Sequence, residues 1–204
     1  MAETVLIVGG AGYIGCHVNK ILQQKGYRTI VLDNLCRSHR AAVHGGTFIE
    51  GDIADTSLLN DIFHRQPIHA VMHFAAYIDV GESVVNPSKY YLNNVVNTLN
   101  LLNAMIKYEV KKLIFSSTAA VYGLPMEKLI SENHPCNPIN PYGESKLMVE
   151  KILRDYDHAY GLRYCSLRYF NAAGGDSEGK IKTRCTTSCR IPFLFYLKRN
   201  PITY

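Results

Sequence analysis

The chain has 204 residues, 47% of them hydrophobic and 19% charged, which is enough to bury the core of one ordinary globular domain. No apolar run approaches the roughly 18–20 residues that span a bilayer, and Cys16, Cys36, Cys136, Cys165, Cys185 and Cys189 show no metal spacing, so they read as reduced structural thiols and no metal is expected. The net charge of +5 comes from Lys180, Lys182, Arg184, Arg190, Lys198 and Arg199; without these six of the 22 basic residues the chain is near neutral against 17 acidic ones, and no nucleic-acid motif accompanies the tail.

Thr4–Val8 reads as a buried strand directly at the N-terminus, with no sign of a secretory leader, which sets the expectation of a cytoplasmic protein. A helix over Tyr13–Gln24 stops at Gly26, and Arg28–Leu32 is a second strand. Thr47–Glu50 is a short third strand, followed by a helix over Ser57–Arg65 and a fourth strand, His69–Phe74. Pro87 opens a long helix through Lys107, as suits proline in a first turn. Lys112–Ser116 is a fifth strand. A loop rich in Pro and Asn then leads into the helix that carries Tyr142 and Lys146, and Arg163–Tyr169 is a sixth strand. Strand–helix alternation with near-continuous apolar strands predicts an α/β fold with a doubly wound, Rossmann-like parallel sheet. Residues 1–178 form the expected dinucleotide-binding domain, and 179–204 the incomplete start of a smaller substrate domain.

The motifs fall at the carboxyl ends of the predicted strands, where such sheets bind ligands. Gly9, Gly12 and Gly15 form G-x-x-G-x-x-G between a strand and a helix, spacing that suits a pyrophosphate at a helix N-terminus. Asp33 ends the second strand, where a carboxylate hydrogen-bonds an adenosine ribose and repels a 2′-phosphate, favouring NAD over NADP; nearby Arg37 works against that preference. Asp52 ends the third strand, in reach of an adenine amino group or serving as a plain helix cap. His73-Phe74-Ala75-Ala76 ends the fourth with small residues that let backbone pass close to a cofactor. Ser116-Ser117-Thr118 ends the fifth. Tyr142 and Lys146, at i and i+4, share one helix face. With Thr118 they make a Ser/Thr–Tyr–Lys triad suited to hydride transfer at an alcohol carbon, and the lysine is expected to lower the tyrosine pKa.

The blocks at 9–15, 32–35, 50–53, 73–76, 80–83, 90–94, 115–123, 141–146 and 168–174 resemble the nucleotide-sugar 4-epimerases of the extended short-chain dehydrogenase/reductase family, from about residue 4 to about residue 179. The resemblance implies NAD held by Gly9, Gly12, Tyr13, Ile14, Gly15, Asp33, Asn34, Asp52, Ile53, Phe74, Ala75, Asn93, Ser116, Tyr142, Lys146 and Tyr169. It implies Thr118 and Tyr142 at the sugar 4-hydroxyl, and Phe170 and Asn171 at the nucleotide-sugar. The implied reaction interconverts UDP-glucose and UDP-galactose by oxidation at C4, rotation of the 4-keto sugar and re-reduction. Ala119-Ala120 replaces the Asp-Glu pair of the related 4,6-dehydratases; an epimerase or decarboxylase of UDP-glucuronate stays open, as does a non-catalytic NAD-binding remnant. Family members also form homodimers, for which Pro87–Lys107 and Tyr142–Tyr160 are the candidate helices.

The likeness frays after Gly179. Cys189-Arg190-Ile191-Pro192 stands where such epimerases carry a His- or Asn-Leu-Ile-Pro block, and Ile78 where some carry a cofactor-contacting lysine. Members continue past the position of Tyr204, so the chain reads as C-terminally truncated, with weak activity expected and Phe193, Leu194, Phe195 and Leu197 left exposed.

Overall fold

The computed structural model describes residues 2–176, 179 and 181. The calls on the basic tail, on Cys185 and on residues 189–204 lie outside the described residues. The strands are β1 (Thr4–Val8), β2 (Arg28–Asp33), β3 (Thr47–Glu50), β4 (Ile68–His73), β5 (Lys112–Thr118) and β6 (Arg163–Tyr169). The helices are α1 (Tyr13–Gln24), α2 (Thr56–Arg65), α3 (Val80–Val85), α4 (Pro87–Tyr91), α5 (Asn97–Lys107) and α6 (Pro141–Tyr160). All strand pairs are parallel, in the order β3-β2-β1-β4-β5-β6.

β1 shows why both faces of the sheet are covered. Leu6 and Val8 join the larger core with Leu59 and Ile62 of α2, Leu101 and Met105 of α5, and Val149 and Leu153 of α6. Val5 and Ile7, pointing the other way, pack with Val31 and with Leu22 of α1. Residues alternate between the two faces of a strand, so an unbroken apolar strand requires helices on each side. The chain runs outward from β1 in both directions, and its reversal opens a crevice between the ends of β1 and β4.

The helix starts are written in the sequence. The side chains of Asp55, Asp79, Asn86 and Asn140 cap α2, α3, α4 and α6, accepting from Leu58, Glu82, Lys89 and Gly143 N–H groups. Pro87 and Pro141 occupy first-turn positions, and Gly161 ends α6 in the left-handed conformation, φ 69°.

Two features depart from expectation. α3 is an additional helix, short and with half-exposed apolar residues, so it carries little periodic signal. The predicted continuous helix Pro87–Lys107 is interrupted by one wider, π-type turn over Leu92–Val96. Asn94 accounts for it. Its buried side chain reaches Tyr77 and Ser145 while its carbonyl accepts from Thr98 Oγ1 at 2.7 Å, so side-chain bonds compete with the regular helical ladder.

Candidate active site

The crevice at the β1–β4 seam is a groove lined by Gly9, Gly12, Asp33, Asn34, Asp52, Ile53, Phe74, Ala75 and Asn93 among the residues expected from sequence, and also by Arg37 and Tyr77. Gly9 has φ +77°, and a Cβ there would lie 2.4 Å from Ala75 N, because both Phe74 and Ala75 donate to Val8 O. Only glycine fits so close a crossing of two loops. A Cβ on Gly15 would meet Gly9 O at 2.4 Å, so Gly15 seats α1 on the loop and does not line the groove. α1 starts at Gly12 with no side-chain cap on its first turn.

Asp33 organises this loop from below. It is 8% exposed, and its carboxylate accepts from Ala11 N at 2.9 Å, Leu35 N at 2.9 Å and Ser38 Oγ at 2.7 Å. A carboxylate offers about four acceptor sites, so one remains for a ligand. Asp52 caps no helix. It accepts from Asn34 Nδ2 at 2.6 Å and from Ala54 N at 2.8 Å, while Asp55 supplies the cap. Asn93 donates to Asn94 Oδ1 at 2.9 Å, which ties the groove wall to the buried amide behind it.

Thr118, Tyr142 and Lys146 gather at the neighbouring end of β5. A Cβ on Gly143 would stand 2.7 Å from Ala120 O, so the glycine lets the first turn of α6 press against the turn after Thr118. Thr118 Oγ1 accepts from Ala120 N at 3.1 Å, and its hydroxyl stands near enough to the Tyr142 phenol to draw the phenol's pKa down. Lys146 is 3% exposed, and its Nζ donates to Ser116 O at 2.8 Å and lies 4.8 Å from the centre of the Phe115 ring. Ser116 therefore serves through its carbonyl. α6 is anchored in turn by Glu150, which takes Arg168 Nε at 3.0 Å, Arg168 Nη2 and Ser117 Oγ in a buried cluster.

The electrostatics correct one expectation. Burial pushes the Tyr142 phenol above its ordinary range, and the nearby Thr118 hydroxyl only partly opposes this. Lys146 does not bring the phenol down in the ligand-free chain. Burial lowers the lysine itself to about 7, against the pull of Glu150. His73 is held at about 3 by burial and by the Lys146 charge; its Nε2 faces Thr98 Oγ1 at 2.9 Å.

Not every called residue reaches the groove. Tyr13 donates its hydroxyl to Gly174 O at 2.6 Å, and Ile14, Ser116, Tyr142, Lys146, Tyr169, Phe170 and Asn171 lie outside the groove lining, the last two exposed at the end of β6. Sequence reasoning missed Tyr77 and Asn94. The doublet Asn93-Asn94 was the available signal, since asparagine is a poor helix-interior residue. Among the described residues no group of three His, Cys, Asp or Glu side chains is placed to hold a metal ion, and no helix is long and apolar enough to cross a membrane.

A doubly wound sheet with a glycine loop at its switch point and a Tyr–Lys pair on the helix after β5 defines a Rossmann-like α/β protein. Residues 5–190 match the NAD dependent epimerase/dehydratase family, and the chain belongs to that family. It is 51% identical over 177 residues to a UDP-glucose 4-epimerase of Halalkalibacterium halodurans, covering 87% of this chain and 53% of that relative. The crystal structure of the UDP-glucose 4-epimerase from Brucella ovis in complex with NAD superposes with a TM-score of 0.88 at 49% identity, over 90% of this chain and 56% of that one. The enzyme from Bifidobacterium longum, in complex with NAD+ and UDP, gives 0.85 at 42% identity, over 88% and 56%. The chain thus spans about half the length of the relatives it matches.

Proposed function

We propose that the chain holds NAD in the groove between β1 and β4 and carries the proton-transfer site of a UDP-sugar 4-epimerase that interconverts UDP-glucose and UDP-galactose. The observation that carries this reading is the gathering of Thr118, Tyr142 and Lys146 at the end of β5, joined to the groove through Asn93, Asn94 and Ser145. The groove fits the dinucleotide: Gly9 and Gly12 keep side chains out of the pyrophosphate path, and Asp33 retains an acceptor site for a ribose hydroxyl. Asn34, Asp52 and Ile53 would stand at the adenine, Tyr13 and Ile14 at the phosphates, and Phe74, Ala75, Asn93, Ser116, Lys146 and Tyr169 toward the nicotinamide. Residues 1–178 would be the cofactor domain, and 179 onward the beginning of the substrate domain.

NAD supplies a hydride acceptor that returns the hydride to the sugar. The chain's own part is the proton. Tyr142 receives it from the 4-hydroxyl while Thr118 holds the phenol in place, and gives it back at the end of the cycle. Lys146, poised near neutrality, would lend charge to the phenolate one helical turn away. Phe170 and Asn171, at the mouth beyond β6, would meet the nucleotide-sugar. A homodimer through the Pro87–Lys107 and Tyr142–Tyr160 faces would cover Leu92 and Val96, both exposed here.

The test is to denature the purified chain, identify the released cofactor, and assay UDP-galactose against UDP-glucose. NAD in the extract and a turnover that falls about 10²- to 10⁴-fold in Tyr142→Phe support the reading. Turnover unaffected by Tyr142→Phe would overturn the role of the phenol.

A further inference from the structure

Arg37 lies on the loop after β2 and lines the same groove wall as Asp33. A guanidinium there is the group that would recognise a phosphate on the adenosine ribose, because its planar fork matches phosphate oxygens. The structure shows what occupies it. Arg37 Nη2 stands 2.7 Å from Glu82 Oε2 on α3, and its guanidinium carbon lies 5.3 Å from the centre of the Tyr77 ring. The Glu82 carboxylate is itself fixed on several sides. Tyr90 donates to Oε2 at 2.9 Å and Lys89 pairs with Oε1, while the backbone behind it is held by the cap of α3, where Asp79 Oδ1 accepts the Glu82 N–H at 2.8 Å. Lys89 Nζ lies over the same Tyr77 ring at 4.3 Å. One carboxylate therefore occupies both Arg37 and Lys89, and Tyr77, whose backbone is gripped by Asn94, holds the assembly in register.

Building on the NAD reading above, we propose that Glu82 is a specificity-determining residue: by engaging Arg37 it withholds that guanidinium from a ribose 2′-phosphate, so the groove selects a dinucleotide with a free 2′-hydroxyl. Asp33 alone would repel the phosphate, yet an unengaged Arg37 a few residues away would offset that repulsion. Glu82 removes the offset by pairing the guanidinium, which leaves Asp33 to set the preference. The arrangement joins residues 45 positions apart in sequence, which is why Asp33 and Arg37 taken alone point to opposite cofactors.

The experiment titrates the 204-residue chain with NADH and with NADPH, following nicotinamide fluorescence, in wild type, Glu82→Gln, Arg37→Gln and the double variant, with thermal melts to establish folding. Wild type is expected to bind NADH more tightly than NADPH. Glu82→Gln should shrink that ratio about tenfold, chiefly by strengthening NADPH, the scale of one hydrogen bond to a charged group. The gain should vanish in the double variant and weaken with added salt. Arg37→Gln alone should leave the ratio near that of wild type, because its guanidinium is already engaged, and Glu82→Ala is read in place of Glu82→Gln should the latter fail to fold. An unchanged ratio in folded Glu82→Gln, a gain that persists without Arg37, or an Arg37→Gln ratio about tenfold wider than wild type would each overturn the proposal. Wild type binding NADPH as well as NADH overturns selectivity and leaves dinucleotide binding standing, whereas wild type binding neither removes the NAD reading itself.

Discussion

Lys146 and His73 are a cation kept near neutrality and an imidazole kept neutral, and their pKa shifts make stability depend on pH in a definite direction. Lys146 titrates at about 7 in the fold against an ordinary 10.5, so between these values the unfolded chain binds the extra proton and stability rises with pH. His73 titrates at about 3 against 6.5, so stability falls again as pH drops from 6.5 toward 3. Thermal melts across pH 4–10 should show both limbs. Lys146→Met should flatten the alkaline limb and His73→Asn the acid one, each by an amount on the order of a few kcal/mol at most. The Tyr142 phenol, raised by burial, should titrate above its ordinary range in the cofactor-free chain. Added NAD, which brings a positive ring, should lower it. The difference in tyrosinate absorbance between wild type and Tyr142→Phe measures this, and a phenol that titrates below 10 without cofactor would contradict the burial argument.

At the level of elements, the wide turn between α4 and α5 is the feature with the most to lose. Asn94 is 2% exposed, and it pairs with the Tyr77 N–H at 2.9 Å, the Tyr77 carbonyl at 3.0 Å and Ser145 Oγ at 3.1 Å. Asn94→Ala strands these partners in the interior, at about 1–3 kcal/mol for each group left unpaired. The variant should melt well below wild type, whereas Asn93→Ala, on the groove wall, should melt near wild type and lose cofactor affinity. Much of the fold is legible in the chain. The six strands, α1, α2 and α6 follow from apolar runs, caps and glycines, and the triad from the i, i+4 spacing of Tyr142 and Lys146. The wide turn is not legible, because a helical pattern records which face is apolar and says nothing of an amide drawn aside by a loop from β4. The Arg37–Glu82 pair escapes for the same reason, and so does the direction of the Tyr142 shift, which burial decides. Arg37 beside Asp33 is an ambiguous sign until α3 is placed next to it.

Over the whole molecule, α6 is the bridge between the chemistry and the far edge of the sheet. The Glu150–Arg168 pair fastens it to β6, with side chains 10% and 7% exposed. Removing one member leaves a buried charge, so Glu150→Ala should cost roughly 3–5 kcal/mol, while the apolar double replacement Glu150→Leu/Arg168→Met should recover much of that loss. Denaturant titration of the three proteins would measure it, and a double variant no more stable than Glu150→Ala would argue against the pair being a net expense of burial. Past β6 the chain turns back across the molecule. Gly174 receives the Tyr13 hydroxyl, Asp176 pairs with Lys20, and Ile181 packs beside Cys16 and Ala42.

The outward order of the strands also bears on how the chain is made. Of the six strands β1 is synthesised first, and it stands in the middle of the finished sheet. Its neighbour β2, and then β3, are synthesised next and can dock in turn, so one wing of the sheet has all its strands before β4 exists. The β1–β4 seam then closes over a long stretch of chain, the slow kind of contact in a parallel topology. Until it closes, β1 presents an unpaired apolar edge to solvent, the kind of exposure that makes a folding chain prone to aggregate. The seam that shapes the groove is therefore also the one whose late closure leaves a strand edge open during synthesis.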